Sequence, residues 1–244
     1  AEKMTISLRL KTNEQMLFES ERPDFVLFWD KDVNLAKSLE NKGVPVFNSA
    51  RSIALCDDKA KTYLALENKL KQPKTIIAPL SFFDVDYTDF IEKAGEVLGF
   101  PLVIKNCCGS FGEQVHLCQN VNEVLKYVTR EPFLLQEYIE CGGEDVRIEV
   151  VGNRVVAAMK RKNEHDFRSN ITNGGTAEKY IPTEKECEIA LTACRELGLT
   201  FGGVDIMSGD TLCEVNSNAH IMNIMHSSGV DVAPLIFEEI LRKI

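Results

Sequence analysis

Apolar positions fall into short continuous runs and helically spaced sets that alternate along the chain. The run Asp24 to Trp29 (Asp-Phe-Val-Leu-Phe-Trp) predicts a short buried strand, and residues 31–41 carry helical spacing that Gly43 stops. Val44 to Phe47 predicts a second strand, and a β-α-β unit of this kind implies a parallel sheet. Residues 1–20 show weak periodicity, and the unit is short for a free-standing domain, so the chain is expected to begin inside one.

Beyond it, Asp57 to Leu70 has an acidic start and apolar residues at helical spacing, which predicts a helix. Pro73 to Ile77 reads as extended, 86–98 as helical, Leu102 to Lys105 and Val115 to Cys118 as strands, and 121–129 as a helix. Phe133 to Glu137 reads as a strand. Asp145 to Val151 and Arg154 to Lys160 follow, joined at Gly152-Asn153, a glycine-asparagine junction that signals a hairpin. An irregular polar loop is expected over 162–179, a helix over 183–198, a second hairpin over 202–216 and a last helix from about Asp231.

The second hairpin carries the most informative chemistry. With a two-residue turn at Gly209-Asp210, Asp205 falls opposite Glu214, and Asn216 shares their face two residues on. Facing carboxylates repel unless a cation lies between them, and two acids with an amide oxygen form a hard-oxygen set suited to Mg²⁺. The competing reading is a solvent-facing strand side with incidental acids. Val204, Ile206, Cys213 and Val215 are expected to supply the core face, and no cation neighbours the acids in sequence.

Lys105 ends an apolar strand beside Asn106-Cys107-Cys108-Gly109-Ser110-Phe111-Gly112, a loop able to offer phosphate both charge and backbone N–H groups, though a plain hairpin loop explains it equally. Asp166-Phe167-Arg168-Ser169-Asn170 with Gly174-Gly175 is rich in donors suited to a transferring phosphoryl group. Composition narrows the rest. Apolar residues make up 44% and charged residues 27%, as in globular proteins. The formal charge of −9 argues against nucleic-acid and membrane partners. Eight scattered cysteines without a CxxC fit a reducing compartment, and a cytoplasmic location is the expectation.

Taken in order, several segments resemble the RimK-like ATP-grasp ligase family, named for the ribosomal-protein glutamate ligase group. They are Asp58-Lys59, Pro101 to Lys105, Gln136-Glu137-Tyr138-Ile139, Asp145-Val146-Arg147, the Asp166 to Asn170 loop, Gly203-Val204-Asp205 and Glu214-Val215-Asn216. The resemblance implies an α/β (α+β) ATP-grasp fold whose two lobes clasp ATP. It divides the chain into a partial Rossmann-like pre-ATP-grasp domain (1–55), a lid or N-terminal lobe (56–135) and a C-terminal lobe with the metal site (136–244).

The resemblance also implies roles. Lys59 and Lys105 hold ATP phosphates; Glu137 and Tyr138, with Gln136 and Ile139, receive adenine; Asp145 meets the ribose. Arg168, Ser169 and Asn170 line the phosphate side, with Arg168 and Arg161 as catalytic candidates. Asp205, Glu214 and Asn216 hold one or two Mg²⁺, for which Mn²⁺ can substitute. The implied reaction joins a carboxylate to an amine on an amino acid, a peptide or a protein terminus through an acyl phosphate. A D-alanine–D-alanine or glutathione-synthetase-like ligase and a catalytically inactive ATP sensor are the alternatives. Members of the group pair into dimers or tetramers, so a homo-oligomer is an expectation. Two departures, Cys107-Cys108 and Ser217-Asn218-Ala219-His220 in place of the usual Ala-Ser-Pro-Gly, lie near the expected substrate position.

Overall fold

The computed structural model describes residues 6–81, 83–110, 112–171 and 174–244. Phe111 of the glycine loop and residues 172–173 of the polar loop lie outside them. A short helix α1 (Asn13–Leu17), capped by Thr12, precedes β1 (Val26–Leu27), α2 (Val33–Asn41) and β2 (Val46–Phe47). β1 and β2 pair in parallel, as the β-α-β reading expects. Asp32 caps α2 by accepting from the Leu35 N–H, which satisfies one of the open donors of its first turn. Leu35, Ala36 and Leu39 on α2 pack with Phe28, Val44, Val46 and Ile53 into a small separate core.

Where one helix is expected from Asp57, the chain forms two: α3 (Ala50–Asp57) and α4 (Lys59–Leu66). Asp58 breaks them, because it leaves helical geometry and accepts from the Ala60 and Lys61 N–H groups as the cap of α4. A four-stranded sheet follows, ordered β3-β6-β4-β5, from β3 (Thr75–Ile77), β4 (Leu102–Asn106), β5 (Val115–Cys118) and β6 (Phe133–Glu137). The helices α5 (Thr88–Leu98) and α6 (Val121–Leu125) cover one face through Ile91, Ala94 and Val124 against Leu102, Ile104, Phe133 and Leu135. Strand alternation sends Val103, Lys105, Leu134 and Gln136 to the other face.

The five-stranded antiparallel sheet, ordered β11-β10-β7-β8-β9, comprises β7 (Glu144–Val151), β8 (Arg154–Lys162), β9 (Thr176–Lys179), β10 (Phe201–Met207) and β11 (Thr211–Asn216). β9 lies within the stretch read as an irregular loop; its polar residues pair with β8 at an exposed edge, so it carries little apolar signal. The helix α7 (Glu184–Leu197), with a Thr183–Glu186 capping box, packs on one face. There Ile189, Ala193 and Leu197 meet Val146, Ile148, Val204, Ile206, Leu212 and Val215. The opposite face is divided. Its apolar end (Val151, Ala157, Met159, Phe201) lies under α8 (Ile221–Ser228) and α9 (Val232–Lys243), and its remainder is polar. Among the described residues no helix is long and apolar enough to cross a membrane.

Buried Asn48 ties the parallel pair to the large sheet. Its Nδ2 donates to the Phe201 and Ser217 carbonyls, each at 2.8 Å, and its Oδ1 accepts from the Thr200 N–H at 2.7 Å.

Candidate active site

The polar part of the large sheet and the free face of the small sheet enclose a cleft of about 600 Å³, a size typical of small-ligand sites. Every candidate residue lines it: Lys59, Lys105, Gln136, Glu137, Tyr138, Ile139, Asp145, Arg161, Arg168, Ser169, Asn170, Asp205, Glu214 and Asn216.

The second hairpin pairs Asp205 with Glu214, as expected, but by another route. Met207 faces Thr211, so the turn is Ser208-Gly209-Asp210, with positive φ at Gly209 and Asp210. A β-bulge between Asp205 and Ile206 then restores the register. The extra residue is Cys213, since Ile206 faces Leu212 and Asp205 faces Glu214. Two successive side chains at a bulge break the usual alternation. Leu212 therefore takes the core position, and Cys213 lines the cleft beside Glu214, contrary to the expectation that Cys213 packs inside. Burial pushes the Cys213 thiol up to about 12, so it is not a nucleophile there.

Asp205 also differs from expectation. Arg147 grips it with two hydrogen bonds of 2.6 Å, and Arg161 Nη2 lies 3.0 Å from its second oxygen. Arg161 in turn holds Asp145. These cations come from β7 and β8, more than 40 residues away in the chain and so outside any local reading of the hairpin. Burial opposes the Asp205 charge, but the two guanidiniums outweigh it and hold the carboxyl below its ordinary range. The row Asp145–Arg161–Asp205–Arg147 is thus internally neutralised.

Next in the row stands Glu149, 3% exposed, with Oε1 lacking a hydrogen-bond partner among the described residues. Burial pushes its carboxyl up to about 7, against the pull of Arg147. Glu149 and Asn216 flank Gly203 on its two sides, and a Cβ on that glycine would come within 2.6 Å of Ala219.

Glu214 keeps more freedom. Its side chain is a third exposed and its ion-pair partner, Lys59, stands 3.6 Å away. Asn216 lines the cleft on the same strand, and its buried Nδ2 has no hydrogen-bond partner among the described residues. Lys59 is fixed at the start of α4, where its N–H donates to the Cys107 carbonyl just past β4, and Lys105 projects from β4 itself. Arg168 crosses from the large sheet to the small one. Asp166 anchors it, which raises its already high pKa, and its Nη1 donates to the Gly112 carbonyl at 2.6 Å. In the hinge, the Gln136 to Ile139 segment that joins the two sheets, Gln136 donates to Thr75 Oγ1, and the Glu137 carboxylate accepts from the Lys74 N–H.

Sequence reasoning gave no role to Trp29, Lys31, Glu149 or Asn48. Lys31 lines the cleft and pairs with Asp57 at 2.5 Å; no spacing rule links it to the site, because the link is the fold of the first 50 residues.

A family model described as a RimK-like ATP-grasp domain matches residues 56–240. An uncharacterized protein of Mycoplasma pneumoniae is 34% identical over 87% of this chain and 78% of its own length. A "Probable alpha-L-glutamate ligase" of Trichodesmium erythraeum is 36% identical over 84% of this chain and 70% of its own length. A D-alanine–D-alanine ligase from Bacillus anthracis, solved in complex with ATP, shares the fold with a TM-score of 0.74 at 19% identity, covering 96% of this chain and 84% of that one. The cleft between two sheets, the ordered sequence markers that line it and these likenesses agree: the chain belongs to the RimK-like ATP-grasp family.

Proposed function

We propose that the protein is an ATP- and Mg²⁺-dependent carboxylate–amine ligase working through an acyl phosphate. The observation that carries this reading is the meeting, in one cleft, of oxygen donors on β11 with cations from three other segments: Lys59, Lys105 and Arg168. Glu214 and Asn216 fit a hard divalent ion, since both line the cleft from one strand and Lys59 comes no closer than 3.6 Å to the Glu214 carboxylate. Asp205 joins that set through whatever lone pairs its arginines leave open, each carboxylate having about four. An ion held there supplies charge neutralisation at the phosphate oxygens.

The residues of the chain do the remainder by positioning and charge. Lys59 and Lys105 hold phosphate oxygens, the Gln136 to Ile139 hinge takes the purine, and Asp145 faces the ribose. Arg168, Ser169 and Asn170 steady the phosphoryl group as it passes to the substrate carboxylate. The amine then attacks the activated carbonyl, and phosphate leaves. Substrates are amino acids, peptides or a protein terminus, in keeping with relatives named as glutamate ligases and with the ATP-grasp ligase PsnB, solved with a precursor peptide, which shares the fold.

The test is ADP release and product mass from ATP, Mg²⁺ and a pooled amino-acid and peptide library. Turnover is expected, and Glu214→Ala is expected to lower it by about a hundred- to a thousandfold, the scale of losing one transition-state charge contact. ATP binding without any ADP release marks a sensor and refutes the reading.

A further inference from the structure

A second cavity, of about 270 Å³, opens beside the cleft, and Trp29 and His220 line both. Its other walls are apolar: Leu27 from β1, Ile221 and Met222 from α8, Ile236 and Phe237 from α9 among them. Among the described residues, no Lys, Arg, Asp or Glu lines it. One wall is Trp29, which stacks on buried Phe201 of the large sheet at 5.2 Å and 8°.

The β10–β11 hairpin orders the two cavities. Its turn lies against the hinge segment, since Ser208 Oγ donates to the Glu140 carbonyl at 3.4 Å. Its open end holds Phe201 and Asn216, and thus Trp29. Strands advance about 3.3 Å per residue, so Phe201 stands about 13 Å from Asp205 on the side away from the hinge. The annex therefore lies past Glu214 and Asn216, beyond the phosphate end of the cleft.

We infer that this annex binds the apolar side chain, aromatic or long aliphatic, of the amino acid or peptide terminus that is ligated, an inference that rests on the ligase reading above. An acidic side chain entering it would lose its hydration, and among the described residues of the wall no lysine or arginine replaces that water. An apolar side chain gains by burial against Leu27, Met222 and Phe237. The preference is thus opposite to that named for the glutamate ligases among the relatives. Trp29 and His220 border both cavities, and this common border is what ties the annex to the reacting substrate rather than to a separate partner.

Trp29 is the only tryptophan of the chain, so its emission reads the annex directly. With ADP and Mg²⁺ present, titration with L-phenylalanine, L-leucine and their N-terminal dipeptides is expected to shift it at lower concentrations than L-glutamate does, by at least tenfold. Met222 is 45% exposed, so Met222→Lys should fold, and it is expected to raise KM for the apolar substrate about tenfold and narrow the gap to glutamate while KM for ATP holds. Turnover with acidic substrates alone, or Met222→Lys kinetics equal to wild type, overturns the inference and leaves the ligase reading standing. Absence of ADP release with every substrate overturns both.

Discussion

Glu149 stands on β7 between Arg147, which is tied into the ion-pair row, and Val151 at the apolar end of the large sheet. In the strand it is one more polar position alternating with valine and isoleucine, and nothing local says that it is buried with an oxygen left unpaired. Its carboxyl titrates near 7 when folded against about 4.5 when unfolded. Between those values the unfolded chain ionises and the folded one does not, so stability falls as pH rises through that window and stays low above it. Glu149→Gln removes the effect. Its denaturation free energy at pH 8 is expected to exceed that of wild type by up to about 3 kcal/mol, with the difference vanishing near pH 4. Urea titrations at the two pH values check it; an equal difference at both would contradict the account. The candidate ligands Glu214 and Asn216 were legible because they lie close in sequence on one strand. The arginines that occupy Asp205 were not, because sheet order rather than chain order brings them there.

Among elements, the hairpins and long helices were readable from alternation and spacing, while β9 and α8 were not. β9 is an exposed edge strand of Thr-Ala-Glu-Lys, held by its ladder to β8 rather than by burial. α8 carries an apolar cluster too short to separate from plain core packing. The bulge at Cys213 was hidden for another reason: a longer turn and an extra residue cancel, so the right partner for Asp205 came from the wrong turn. Gly175 fixes the donor loop, because a Cβ there would lie 2.5 Å from the Ser169 carbonyl and 3.0 Å from that of Asn170. Gly175→Ala must therefore displace that backbone, which lines the cleft. Ligase turnover is expected to drop by about a hundredfold with little change in melting temperature, as a displacement near 1 Å at a positioned group does. Paired kinetics and melting curves decide it, and retained turnover would show the loop to be tolerant.

For the whole molecule, the joint at Asn48 matters most. One buried amide spans the parallel pair and the large sheet with hydrogen bonds to Thr200, Phe201 and Ser217. Asn48→Ala leaves these backbone groups without that partner and is expected to cost about 3 kcal/mol of stability. Because the Trp29–Phe201 stack sits beside the joint, its emission should also move toward that of an exposed indole. Thermal melts followed at the Trp29 band test both effects. The joint had no signature in the sequence, where Asn48 is one polar residue between a strand and the Ser49 helix cap.

Arg168 reaches from a loop of the large sheet to the Gly112 and Val115 carbonyls of the small one. Any movement that parts the sheets has to break these bonds first, so opening carries a barrier of its own. The dwell time of a molecule trapped between the sheets is then governed in part by one arginine that belongs to neither core.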